Sequence, residues 1–496
     1  MGISLGVWLT EKFTRRRFGT IAGAAAISTT AASRHVAAQS NAATKRSQAF
    51  PPGFIWGAAT SAYQIEGAVN ADGRGRSIWD DYAHTPGKIA DGSNADRATE
   101  HYTRYKDDIQ LMVALGIKAY RFSVAWPRIF PDGTGAPNPK GLDFYNRLID
   151  ELLANEIQPF ATLYHWDLPS TLQTNLGGWQ SRDTAKAFAD YAGFVAARIT
   201  DRVRNVFTIN ECSTFVDLGY AAASIEMAPG LKLPPQRLNQ VRHHVALAHG
   251  LAVQAIRASG SAGTKIGPAE NLAVCVPAIE TEANIRAAET ATRELNSGYL
   301  TAIMEGKYTD GFLRYAGANA PTFTAEDMAI ISSPIDLLGL NVYMPHSYVT
   351  AGTQPGSFEM LPYPTSFPHM DSRWLKIGPE ALYWAPRLVA KLWPSPDLYI
   401  TENGTSAADD TTATGAVVDL DRIMYLRNYL AQMQRATSEG VPVKGYFHWS
   451  LMDNFEWSDG LQKRFGLYKV DFQTQKRTAK LSADFYRETI TRNAVV

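Results

Sequence analysis

The chain has 496 residues, 45% of them hydrophobic and 11% aromatic, enough for one large domain or two to three smaller ones with a sizeable core. Lys plus Arg and Asp plus Glu both number 48, so no overall field recommends nucleic acid or a charged membrane surface as a partner. Two cysteines, Cys212 and Cys275, are too few for a disulfide framework or a cysteine-rich zinc site.

Residues 1–38 read as a targeting segment outside the fold. Thr14-Arg-Arg-Arg-Phe18 resembles a twin-arginine export signal, Gly19 to Ala38 is weakly apolar and free of acids, and Val36-Ala37-Ala38 offers a small-residue cleavage site. The run is too short and too polar to anchor the chain in a bilayer, and Met1-Gly2 lacks the hydroxyl residue that myristoylation wants at the sixth position. The expected destination is a bacterial periplasm or the medium, reached by a folded protein. Residues 39–49 read as a polar linker and residues 50–496 as one domain.

From Phe50 onward, strand-like runs alternate with amphipathic ones. Phe54–Thr60 predicts a strand and Ala98–Leu115 a helix, followed by Ala119–Val124 with Pro139–Asn155 and by Gln158–His165 with Asp183–Asp201. Then come Asn205–Glu211 with Gln236–Ser259, Lys265–Asn271 with Glu280–Ser297, and Leu337–Tyr343 with Gly378–Leu392. Asp397–Glu402 with Asp419–Glu439 and Val443–Leu451 with Ala479–Thr491 complete the series. This alternation predicts an α/β chain folded as a (β/α)8 TIM barrel with long loops at its C-terminal face. The competing doubly wound sheet lacks its Gly-rich phosphate loop at a helix start. One long connection, Pro345 to Ile377, follows the sixth strand and is placed to rim the barrel mouth.

The chemistry-bearing residues stand at strand ends, where barrel enzymes build their sites. Leu398-Tyr-Ile-Thr-Glu-Asn-Gly404 is an apolar run ending in Glu402 and an Asn-Gly turn signal; Asn205-Val-Phe-Thr-Ile-Asn-Glu211 ends in Glu211 in the same way. Two strands offering a carboxylate at one end suggest a paired-carboxylate site. Arg121, inside the apolar run Tyr120-Arg-Phe-Ser-Val124, needs a carboxylate partner: Glu402, which it would hold ionised, or an acid elsewhere in the barrel. Gln64 lies just past the first strand, with a donor and an acceptor suited to sugar hydroxyls, though as a loop residue alone it is unremarkable. His165, ending the third strand, has no second ligand at zinc spacing and is better suited to a hydroxyl. Tyr343 could donate to a carboxylate, Trp449 could floor the C–H face of a sugar, and Glu456 could accept from hydroxyls; Trp449 and Trp457 would serve equally as core aromatics.

Phe54–Gly67, Tyr120–Arg128, His165-Trp166, Thr208-Ile-Asn-Glu211, Gly339-Leu-Asn-Val-Tyr343, Ile400-Thr-Glu-Asn-Gly404 and Phe447–Trp457 together resemble glycoside hydrolase family 1, in that family's order and over the whole chain from Phe50. Lys463-Arg-Phe-Gly-Leu-Tyr-Lys-Val-Asp471 is similar to its closing segment. The resemblance implies a retaining exo-β-glycosidase acting on terminal non-reducing β-D-glucosyl residues, with β-galactosides or β-fucosides as further substrates. Its carboxyls would be about 5–5.5 Å apart. Glu211 would be the acid/base and Glu402 the nucleophile, with Arg121, Asn341 and Tyr343 around it. Gln64, His165, Trp166, Asn210, Trp449, Glu456, Trp457 and Phe465 would line the sugar subsite. No metal or organic cofactor is implied; the substrate is a small β-glucoside or cello-oligosaccharide, and a homo-oligomer is compatible. A transglycosidase would use the same intermediate, whereas a silent glycan-binding barrel would lack one of the glutamates.

Glu211, where the family's thioglucosidases carry Gln, favours O-glycosides, and Glu456 would repel a 6-phosphate. Departures from the family pattern are Cys212-Ser213, where Pro and often Trp stand, and His448, where a branched apolar residue is common. Cys212 and Cys275 are expected near the ends of neighbouring strands, as free buried thiols or, in an exported protein, as a disulfide.

Overall fold

The computed structural model describes residues 49–496 apart from Ser224, Pro355 and Ser395, so the expected export segment and residues 39–48 of the expected linker lie outside the described residues. Short apolar runs form eight strands: β1 (Ile55–Ala59), β2 (Ala119–Ser123), β3 (Gln158–Tyr164), β4 (Asn205–Asn210), β5 (Lys265–Asn271), β6 (Leu337–Asn341), β7 (Asp397–Asn403) and β8 (Val443–Trp449). They close into a barrel in sequence order, every neighbour parallel and β8 paired with β1. A parallel neighbour needs a crossover, and amphipathic helices supply it: α1 (His101–Leu115), α2 (Pro139–Ala154), α3 (Arg182–Ile199), α4 (Pro235–Ser259), α5 (Glu282–Leu295), α6 (Ala381–Leu392), α7 (Leu420–Ser438) and α8 (Leu481–Arg492). In α2, Asn138 caps the first turn, Pro139 opens it, and Phe144, Leu148 and Leu152 share the buried stripe.

The strands are buried on both faces. Outward residues such as Ile209 and Ile400 pack under the helices in the main core. Inward residues fill the barrel with Phe160, Phe207, Tyr399 and Phe447, ring centroids of Phe160 and Phe447 being 4.9 Å apart. That aromatic plug is the floor on which the site stands.

Two strands break the alternation of faces where it matters. On β7, Ile400 faces out, yet Thr401 and Glu402 both turn inward, across a register shift between Ile400 and Glu402. On β4, Thr208 bonds His249 of α4, Ile209 joins the outer core, and Asn210 turns inward after a shift between Phe207 and Asn210. Each bulge puts one extra residue into its strand and so re-aims the side chains that follow.

The long connection is more ordered than a plain loop. Ser347–Ala351 and Phe358–Leu361 pair antiparallel, and Ser347–Ala351 runs parallel to Cys275–Pro277, giving a three-stranded sheet between the β5 and β6 excursions. Cys212 and Cys275 are both free and buried. Among the described residues no helix is long and apolar enough to cross a membrane.

Candidate active site

The C-terminal strand ends open into a cavity of about 820 Å³. Glu211 from β4 and Glu402 from β7 both line it, with His165, Trp166, Tyr343, Trp449, Glu456, Trp457 and Phe465. Gln64, Arg121, Asn210 and Asn341 are wholly buried and stand behind this lining.

Each oxygen of Glu402 has its own donor. Arg121 Nη1 reaches Oε1 at 2.6 Å, and the Tyr343 hydroxyl donates to Oε2 at 2.9 Å. Arg121 also donates to Thr162 Oγ1 at 3.0 Å and to Asn210 Oδ1 at 2.6 Å, so its guanidinium has a partner in every direction. Burial nevertheless pushes the Glu402 carboxyl above the ordinary carboxylate range, opposed by Arg121, Tyr343 and Asn341. That is the reverse of the direction that a lone arginine neighbour predicts; desolvation outweighs it.

Among the described residues no cation pairs with Glu211. Asn341 Nδ2 donates to its Oε1 at 2.7 Å. Burial, reinforced by the charge of Glu402, lifts the carboxyl to about 8. Both carboxyls are raised, but their surroundings are unlike: one faces a guanidinium, the other faces an anion.

Between them Asn341 is held in one orientation. Thr401 donates to its Oδ1 at 2.7 Å, which turns Nδ2 toward Glu211 and toward Asn210 Oδ1 at 3.0 Å. Gly339 allows this arrangement, because a Cβ there would lie 2.6 Å from Thr401 Oγ1. With Asn210 Oδ1 taken by Arg121 and Asn341, its Nδ2 faces His165 Nε2 at 3.2 Å. A donor there makes Nε2 the acceptor, so the proton of the ring sits on Nδ1, which has no hydrogen-bond partner among the described residues. Burial and Arg121 hold the His165 ring well below its usual range, hence neutral.

The aromatic wall is continuous. His165 stacks on Trp449 at 5.7 Å and on Trp457 at 5.9 Å, and Trp166 lies 4.5 Å from Trp457. Trp166, Glu211 and Trp457 have φ of +80°, +51° and +49°, a region uncommon for side-chain-bearing residues and typical of functional positions. Gln64 donates to Phe455 O at 2.9 Å and to Glu456 Oε2 at 3.4 Å, bracing the loop that carries Glu456. Burial, with Asp459, Glu402 and Glu211 as negative neighbours, drives Glu456 well up.

Thr401, Thr162 and Glu270 also belong to this arrangement and were not singled out from the sequence. Glu270 had a legible signal: Ala269-Glu-Asn271 ends β5 in the form in which Thr401-Glu-Asn403 ends β7. At the mouth, half-exposed Trp374, Ile225 and Leu295 offer apolar surface, Trp374 coming from the long connection as expected.

A closed parallel barrel carrying two unlike carboxyls across a tryptophan-walled pocket defines a carbohydrate-cleaving hydrolase. The chain belongs to glycosyl hydrolase family 1, whose family model matches residues 46–495. It is similar to β-glucosidase A of Thermotoga maritima, 42% identical over 90% of this chain and 98% of that protein. It is also similar to a bifunctional β-D-glucosidase/β-D-fucosidase of Bifidobacterium breve, 41% identical over 89% of this chain and 98% of that protein. Among solved structures, the Thermotoga maritima β-glucosidase in complex with glucoimidazole matches with a TM-score of 0.81 and 40% identity, covering 90% of this chain and all of that one.

Proposed function

We propose that this protein is a retaining exo-β-glucosidase that also takes β-fucosides, removing the terminal non-reducing sugar by double displacement. The observation that carries the reading is the unequal setting of two acids on one pocket, Glu402 between Arg121 and Tyr343 and Glu211 protonated with a carboxyl raised to about 8. The names of the relatives support glucose and fucose as the sugars.

In the first step Glu402 attacks the anomeric carbon, the bond from that carbon to the glycosidic oxygen breaks, and Glu211 passes its proton to the departing oxygen. Glu211 is then an anion beside an ester. It takes a proton from water, whose oxygen attacks the same carbon and frees Glu402. Two inversions at one carbon return the β-anomer.

The sugar would be read by His165 through Nδ1–H and by Glu456 through its carboxyl, with Gln64 and Asn210 orienting them from behind, Trp449 as the floor, and Trp166, Trp457 and Phe465 closing the sides. Because burial favours the neutral form of Glu456, the charge repulsion expected against a 6-phosphate is weakened. The apolar mouth suits a leaving group with a flat or aliphatic face. The test is hydrolysis of 4-nitrophenyl β-D-glucoside followed by proton NMR: β-glucose forms first and mutarotates later, whereas α-glucose as the first product contradicts the mechanism.

A further inference from the structure

The end of β5 grips the turn on which Glu211 stands. The N–H of Glu211 donates to Ala269 O at 2.7 Å, and the N–H of Cys212 donates to Glu270 Oε1 at 3.2 Å. Asn271 Nδ2 donates to Thr214 Oγ1 at 2.9 Å, and the Thr214 hydroxyl in turn faces the Glu211 carboxyl. Three successive residues of one strand thus meet the turn 211–214, whose first residue is held at φ +51°. The contact to Glu270 exists only because residue 212 has an N–H to give, as a cysteine does and a proline would not.

From this geometry we propose that Glu270 is a positioning residue for Glu211, its carboxylate pinning the turn through the Cys212 N–H and placing a third acid beside the proton donor of the reaction. The inference rests on the acid/base role proposed for Glu211. Glu270 is 2% exposed and lines the same cavity as Glu211 and Glu402. The titratable groups facing it are Glu211 from β4, the Cys212 thiol from the helix Cys212–Gly219, and the Tyr299 phenol ahead of the helix Leu300–Glu305. Arg242, which faces Tyr299, is paired with Asp217. Burial raises the Glu270 carboxyl to about 7, and wherever it is ionised its charge helps keep the proton on Glu211.

Two variants of the full chain separate position from charge. Glu270→Gln keeps an acceptor for the Cys212 N–H and removes the charge; Glu270→Ala removes both. In both, the alkaline limb of kcat/KM should move to lower pH. In Glu270→Ala alone, kcat/KM for an alkyl glucoside should fall roughly tenfold more than for the dinitrophenyl glucoside, which needs little help from an acid. Should Glu270→Ala not fold, the limb of Glu270→Gln still decides. Losses spread evenly over leaving groups, or an alkaline limb that stays in place, overturn the assignment. Glu211→Gln run in parallel distinguishes the two readings. If it is insensitive to the leaving group, the acid role of Glu211 fails; if it is sensitive and Glu270→Ala is not, only the assignment of Glu270 fails.

Discussion

Arg121 of β2 reaches across the barrel interior to Glu402 of β7, Nη1 to Oε1 at 2.6 Å, with the arginine wholly buried. A buried pair of this kind costs more to break than it contributes as a pair. Arg121→Met should therefore destabilise the protein by about 3–5 kcal/mol, because Glu402 is left as an uncompensated buried acid. Arg121→Met with Glu402→Gln should recover part of that loss. Urea unfolding of the four members of the cycle measures it; strictly additive effects would mean that the two residues are not coupled.

The strand cores were legible because a parallel strand buried on both faces reads as a short apolar run: seven lie within the predicted ranges, and β7 runs one residue past its range, to Asn403. Ends were less so. Helix α1 starts at His101 instead of Ala98, since Ala98 and Glu100 have φ of +44° and +54°, which no right-handed helix admits. The strand run from Val443 stops at Trp449, where the Ser450 N–H leaves the ladder for Phe465 O. Asn403-Gly404 signals a turn, yet the φ of Gly404 is not positive, and glycine is required there because a Cβ would lie 1.8 Å from Trp449 O. The bulges at β4 and β7 leave no mark in composition, and without them Glu402 would share the outward face of Ile400. The identities of the two acids were readable, but their unequal surroundings come from residues remote in sequence.

Activity should fall as pH rises. In the proposed role Glu211 must carry a proton to act on the leaving oxygen, and a carboxyl raised to about 8 would lose it as pH passes that value. The alkaline limb of kcat/KM for a poor leaving group should therefore lie near that value, and it should vanish in Glu211→Gln, with a loss of about 10²–10⁴-fold. A limb at the ordinary carboxylate range would contradict the burial argument.

In the proposed reading, His165 would offer a sugar its Nδ1–H only while Asn210 holds Nε2 as an acceptor. His165→Ala should weaken ground-state and transition-state binding by about one hydrogen bond, roughly tenfold in kcat/KM. Asn210→Leu should cost more, because it also strips a partner from Arg121 and from Asn341. Steady-state kinetics with an aryl β-glucoside rank the two; equal losses would remove the orienting role of Asn210.

We propose export of the folded chain by a twin-arginine route, from Arg15, Arg16 and Arg17 ahead of the small-residue stretch. Replacing all three with lysine should leave full-length, active enzyme in the cytoplasm of a bacterial host. Unchanged periplasmic activity after that replacement would exclude the route.

The most direct test of the paired-carboxylate account is to trap the intermediate. A 2-deoxy-2-fluoro β-glucoside with a good leaving group should inactivate the enzyme with one equivalent of sugar bound. Peptide mass mapping should then find that sugar as an ester on Glu402. A label on Glu211 or on any other residue, or α-glucose as first product with no covalent species, would contradict it.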